Sequence, residues 1–335
     1  MIPRLNISFP LKRQLQYWFG KQYEPKKGEY LLNHARTGIV MALRAALPNG
    51  GRVGVVVYNC HTVANAVTNA GCVPFFVDVA EDLKIDVESA PENLDAIVVT
   101  NLFGIRNDIA AIRKRLPKAI IIVDNAHGYG LPAEGDFTVY SINQGKFPAL
   151  GEGGVLCTID DFRFKIDDLY AALPSYGFIG QLKLFCSMLV KAIAYSKLCY
   201  WLTMKVKGMR ELGSERIREK VVMRKMAKGV SRMYNAWLPN AQKEIEMQRR
   251  NATEILDLRF KIDDLLVGEN AFMAIVKCDD PAALKAEYAK RGVETATHFK
   301  NAIVWAKQFG YVEGSCLCAE ELTTKLLMIP TYTRI

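Results

Sequence analysis

Between about residues 30 and 160 the chain alternates short runs rich in Val and Ile with amphipathic stretches, which leaves few architectures open. The runs are VGVVV (53–57), DAIVVT (95–100), AIIIVD (119–124), FTVYS (137–141) and GGVLCTI (153–159). Short apolar runs without polar alternation are the mark of strands covered on both faces. Helical patterns at 37–47, 62–70 and 107–115 lie between them. Strands alternating with helices, joined by right-handed crossovers, predict an α/β fold: a mainly parallel central sheet flanked by helices. On such sheets ligands bind beyond the carboxyl ends of the strands, so the residues that follow each run are the ones to inspect.

The pattern changes after residue 160. Residues 163–228 are helical and basic, and 232–258 form a polar amphipathic helix around EIEMQRRNATEIL. Beyond it, AFMAIVKC (271–278), PAALKAEYAKRGVET (281–295) and KLLMIPTY (325–332) predict a small α+β domain. The expected division is a large domain over 1–250, including a helical basic insertion at 163–228, and a small C-terminal domain over 251–335. A chain of 335 residues is long enough for both. The N-terminus has no uninterrupted apolar core and no small-residue cleavage site, so the expected address is the cytoplasm. The eight cysteines are scattered with no CxxC pair, which argues for reduced thiols and against a zinc site; no metal is expected. Twelve cations against three carboxylates fall within 183–228, a surplus equal to the net charge of +9 for the whole chain. The basic character therefore belongs to one segment.

At the strand ends, Asp124 closes a buried run and His127 follows three residues later. A carboxylate there needs solvent or a cationic partner. Ser141 ends the next run, Lys146 lies five residues on, and Gly151-Glu152-Gly153-Gly154 makes a glycine-rich turn. Arg36-Thr37-Gly38 opens an amphipathic helix whose free N–H groups and dipole suit a phosphate. Each feature alone has an ordinary explanation as a solvated lysine, a helix cap or a turn. Their order along this kind of sheet is the informative part.

With those residues in place, the sequence resembles the sugar aminotransferases of the DegT/DnrJ/StrS type, within the fold-type-I pyridoxal-phosphate (PLP) enzymes. The resemblance is carried by VANAVTNAGCVPFFVDV (63–79), TNLFGIRNDI (100–109), VDNAHGYG (123–130) and YSINQGKFPALGEGG (140–154). It covers roughly 35–160 well and 232–335 loosely. It implies pyridoxal 5'-phosphate as cofactor, with Lys146 as the Schiff-base lysine and proton shuttle, and Asp124 as the partner of the ring nitrogen. It also implies His127 beside the ring's phenolic oxygen or Asp124, with Ser141 and the helix start at Thr37–Gly38 on the phosphate. A side chain stacked on the ring would come from the loop YNCHTV. Direct alignment puts Cys60 there, whereas His61 is the better stacking group and is the one we favour. The implied reaction moves an amino group from an amino donor, glutamate by family expectation, to a keto sugar, expected to be nucleotide-linked, in surface polysaccharide assembly. A homodimer is the implied assembly. Retention of Lys146 favours transamination over the dehydratase branch, in which the lysine becomes histidine.

Two departures keep other readings open. A Gly-x-Asn-x-Arg-Met stretch of the family, whose Asn reaches the partner subunit's phosphate, corresponds here to KGVSRMYN (228–235), with no Asn in register; either Ser231 substitutes or the contact is absent. Together with a short C-terminus, this leaves room for a non-catalytic, membrane-associated relative. The segment 181–207 places Lys183, Lys191, Lys197 and Lys205 within about a third of a helical circumference, on an otherwise apolar surface. Lysines near its middle argue against a spanning helix. Two readings stay open for 181–228: peripheral contact with anionic lipid, or packing on the large domain or across a dimer interface. No nucleic-acid module is recognisable, and no nucleic-acid partner is expected.

Overall fold

The structure, a computed structural model, describes residues 2–3, 7–196, 199–200, 217–256 and 265–333. Seven strands form the central sheet: β1 (Glu29–Leu32), β2 (Arg52–Val56), β3 (Val73–Val77), β4 (Ala96–Thr100), β5 (Ile120–Asn125), β6 (Phe137–Ser141) and β7 (Gly154–Thr158). Their order is β1-β7-β6-β5-β4-β2-β3. From β3 to β6 all neighbours are parallel, while β7 runs antiparallel to β6 and to β1. Alternate residues of the central strands enter two different cores. Ile97, Val99, Ile121 and Val123 join one, and Ala96, Val98 and Ile122 the other. Both faces are dry, so these strands read as continuous apolar runs.

The helices α1 (Leu11–Phe19), α2 (Ala35–Ala46), α3 (His61–Asn69), α4 (Ile109–Arg115), α5 (Asp160–Ala171), α6 (Phe178–Ala194), α7 (Lys228–Trp237) and α8 (Ala241–Leu256) surround this sheet. A second, antiparallel sheet of β8 (Leu265–Val267), β9 (Met273–Lys277) and β10 (Leu326–Pro330) has the order β10-β9-β8. It carries α9 (Pro281–Lys290), α10 (Ala302–Lys307) and α11 (Leu317–Lys325). Helix α8 runs through residues 250 and 251 without a break, and Ile2 bridges Val293 near the small sheet.

The insertion differs from a single helix over 181–207. Helix α6 starts at Phe178 and ends at Ala194, with Tyr195 at its C-cap. Lys197 and Lys205 lie outside the described residues. Among the described residues, no helix is long and apolar enough to cross a membrane.

Helix α2 packs closely on the sheet. Nine of its twelve residues are buried, and it lies against β6 and β7 through Gly38. A Cβ at Gly38 would meet Val139 Cγ1 at 2.8 Å and Leu156 Cβ at 3.3 Å, and neither buried strand residue has room to yield. Gly38→Val is therefore expected to lower unfolding stability by about 1–3 kcal/mol through overpacking. A urea midpoint unchanged from wild type would contradict this packing account.

Candidate active site

The carboxyl ends of the parallel strands open into a cleft of about 740 Å³, counted to its open mouth. The loop after β2 contributes Asn59 and Cys60, β4 contributes Thr100, β5 and the turn after it contribute Asp124 and His127, and β6 with its loop contributes Ser141, Asn143 and Lys146. The start of α2 adds His34, Ala35 and Arg36, and the small domain adds Phe299.

The Lys146 loop is fixed by the glycine turn behind it. Ile142 N–H donates to Gly153 O at 3.0 Å, Gln144 N–H donates to Gly151 O at 2.8 Å, and Gly153 N–H donates to Asn143 Oδ1 at 2.8 Å. Gly154 has to lack a side chain, because a Cβ there would lie 2.4 Å from Ala35 N at the head of α2. The turn thus brings the lysine loop and the helix start together.

Lys146 Nζ lies 2.5 Å from His127 Nε2. Phe103 N–H donates to His127 Nδ1 at 3.2 Å, so the neutral ring carries its proton on Nε2. That proton points at a lysine whose pKa is lowered by burial, and His127 itself is held well below its ordinary value by burial, Lys146 and His298. Burial thus disfavours the charged form of both the ring and the amine that it faces. Phe103 (5.4 Å) and Phe299 (5.9 Å), whose own rings lie 6.2 Å apart, form an aromatic cluster with His127, which is buried. Asn270 Nδ2, from the small domain, donates to His127 O at 2.8 Å and pins this turn.

Asp124 is 3% exposed. Burial pushes its carboxyl pKa up, opposed by the Ala126 N–H at 2.9 Å, by Lys146 and by Thr100. Asn59 Nδ2 donates to Thr100 Oγ1 at 2.8 Å, which leaves the threonine hydroxyl proton for the carboxylate. This donor set suits a carboxylate awaiting one more cationic N–H.

Lys146, Asp124, His127 and Ser141 are therefore gathered in one cleft, while Thr37, Gly38 and His61 are not on its wall. Thr37 Oγ1 donates to Asn33 Oδ1 at 2.8 Å inside the core, and Gly38 faces the sheet. The His61 ring sits edge-on to Trp305 at 5.0 Å and lines a separate apolar pocket with Phe76 and Phe309, whereas Cys60 lies on the cleft with Asn59 and Thr62. Sequence reasoning missed His34, Asn59, Thr100, Asn143 and Phe299, and gave no site role to Arg36. Thr100 was findable, because it ends a strand run, whereas Phe299 arrives from a distant segment. Arg36 is half-buried at the head of α2, with no hydrogen bond or ion pair among the described residues, and burial lowers its pKa. An unpaired guanidinium beside a helix N-terminus is a seat for an anion. Ser141 accepts a long 3.5 Å contact from Asn143 N–H, so its own proton can be donated into the cleft.

His34 reports on the electrostatics of the cleft mouth. Burial, then Arg36 and, more weakly, Lys191 lower its pKa to about 4, while its bond to Asn143 raises it. The folded ring stays neutral between about 4 and its ordinary 6.5, whereas the unfolded ring takes up a proton there, so this residue makes stability rise with pH across that window. The urea midpoint of the wild-type chain is expected to fall more steeply than that of His34→Gln on acidification through this range. Parallel profiles would contradict the assignment.

Residues 30–182 match the DegT/DnrJ/EryC1/StrS aminotransferase family. No functionally curated protein matches the sequence. Solved structures share the fold. The sugar aminotransferase CalS13 from Micromonospora echinospora superposes with TM-score 0.72 at 16% identity, over 99% of this chain and 95% of its own. The PLP form of the putative sugar aminotransferase Spr1654 from Streptococcus pneumoniae gives 0.70 at 14% identity, over 99% and 94%. E. coli GDP-4-keto-6-deoxy-D-mannose-3-dehydratase gives 0.68 at 17% identity, over 96% and 87%. The segment that matches this family, residues 30–182, contains nearly all of the cleft.

Proposed function

We propose that this chain is a pyridoxal-phosphate-dependent aminotransferase that moves an amino group, from glutamate, to a keto sugar carried on a nucleotide, in surface polysaccharide biosynthesis. The observation that carries this reading is the buried Lys146 amine, 2.5 Å from His127 Nε2, and the buried Asp124 carboxyl in a single cleft at the strand ends. We also propose a cytoplasmic homodimer whose segment 181–228 is available for peripheral membrane contact.

The residues present fit the cofactor. Asp124 would face the ring nitrogen, and the charge gained there would restore the carboxylate that burial disfavours. Arg36, Ser141 and the N-terminus of α2 would hold the phosphate, and Lys146 would be the point of covalent attachment. When bound, the cofactor supplies an electron-poor ring that lowers the barrier to removing a proton from the substrate carbon. The protein supplies the proton handling. Lys146 Nζ, whose charged form burial disfavours, takes the proton from the substrate carbon and returns it, and His127 Nε2–H holds that amine in place between transfers. Phe299 and the aromatic rings around His127 keep bulk water away from the lysine. Amino donor and keto acceptor use the same cleft in turn, which gives a ping-pong order.

The fold is shared with the E. coli dehydratase, so it does not by itself separate amino transfer from dehydration. A lysine at position 146, within reach of His127, favours transfer. Lys146→Ala is expected to lower turnover from glutamate to a keto nucleotide-sugar by about 10²–10⁴-fold or more. Turnover at the wild-type rate would exclude Lys146 as the proton carrier. Arg36→Met is expected to weaken cofactor binding by roughly ten- to a hundredfold, the worth of a charge-assisted hydrogen bond, as read by equilibrium titration. Unchanged affinity would move the phosphate away from the head of α2.

A further inference from the structure

Helix α6 has two different faces. Its inner side packs on the site: Met188 is 3% exposed, with its sulfur where a Cβ of Gly151 would fall, and Phe185 meets Phe9 at 5.2 Å and Trp18 at 5.4 Å. Its outer side exposes Phe178 (69%), Ile179 (68%), Leu182, Val190 (64%) and Ile193, with Cys186 among them. At about 100° per residue these lie within about 120° of arc, and Lys183 falls just beyond its edge. Helix α1 adds a second row, Leu11, Leu15 and Phe19, all exposed. Trp18 in α1 touches Phe178 at 6.1 Å, which joins the two rows.

The charge pattern says what covers this surface. Neither helix contains a carboxylate, and the sequence has no Asp or Glu from 169 to 210, against six Lys and Arg. A second copy seated face to face would bring Lys183 and, beside the α1 row, exposed Lys12 against a like-charged surface with no acid on either helix to pair them. A phospholipid surface accepts the apolar rows into the headgroup boundary and attracts the flanking lysines.

We infer that the outer faces of α6 and α1 form a seat for an anionic lipid bilayer, fixed next to the catalytic loop through Met188 and Gly151. The interaction is interfacial, because the exposed apolar rows line one side only. The face is defined independently of the chemistry in the cleft, so a chain without activity tests it equally well.

The test is flotation of the full chain with vesicles of phosphatidylcholine alone and of phosphatidylcholine mixed with phosphatidylglycerol. Wild type is expected to float with the anionic vesicles and to stay behind with the neutral ones, and high salt is expected to release it. Lys183→Gln and Lys12→Gln, both at exposed positions flanking the apolar rows, are each expected to weaken partition about fivefold. Leu182→Ser with Val190→Ser is expected to abolish flotation while leaving the oligomeric state by light scattering unchanged. Absence of flotation in the wild type, equal binding to neutral vesicles, or dissociation of an oligomer by the serine variant would overturn the inference; the last would assign the face to a contact between copies.

Discussion

The site depends on desolvation at the bottom of one cleft. Burial alone would make Lys146, His127 and Asp124 costly if each kept its ordinary charge; it lowers the pKa of the two bases and raises that of the acid, a rise that the Ala126 N–H, Lys146 and Thr100 oppose. The tautomer of His127 is set at the far side of the ring by the Phe103 N–H, so a backbone group in the loop after β4 determines which proton faces the lysine. Groups poised this way are suited to moving protons near neutral pH.

Parallel-sheet topology explains why these groups meet. Asp124 and Ser141 end neighbouring strands, and Thr100 ends the strand on the other side of β5. Two glycines turn the chain tightly enough to bring α2 and the lysine loop together: Gly154, against Ala35, and Gly151, which has φ +106° and gives space to Met188. The segment carrying the three-stranded sheet reaches this assembly through Asn270 and Phe299, and Tyr58 after β2 donates to His298 O at 2.8 Å.

Much of this was legible in the sequence, for a physical reason. The five strands covered on both faces have continuous apolar runs, and the residues at their ends carry the chemistry. The two edge strands escaped notice: β1 is four residues beginning with Glu29, and β3 begins with exposed Val73 followed by Pro74. Periodicity does not mark short strands with one open side. Within the site, Lys146, Asp124, His127 and Ser141 stand in a recognisable order, but the roles of neighbours were set by rotation about α2 and α3. Arg36 faces the cleft where Thr37 faces the core, and Cys60 faces it where His61 turns to Trp305. A one-residue step on a helix start moves a side chain by roughly 100°, and no local pattern fixes that angle. The basic insertion was visible as charge, but its division into an inner aromatic face and an outer apolar one was not.

The measurement that tests the central claim most directly is a visible absorbance spectrum of the chain titrated with pyridoxal 5'-phosphate, followed by borohydride reduction and peptide mass analysis. The account predicts an absorbance band that reduction bleaches, with the adduct mass on the peptide containing Lys146. A chain that stays colourless, or an adduct confined to other lysines, would contradict it.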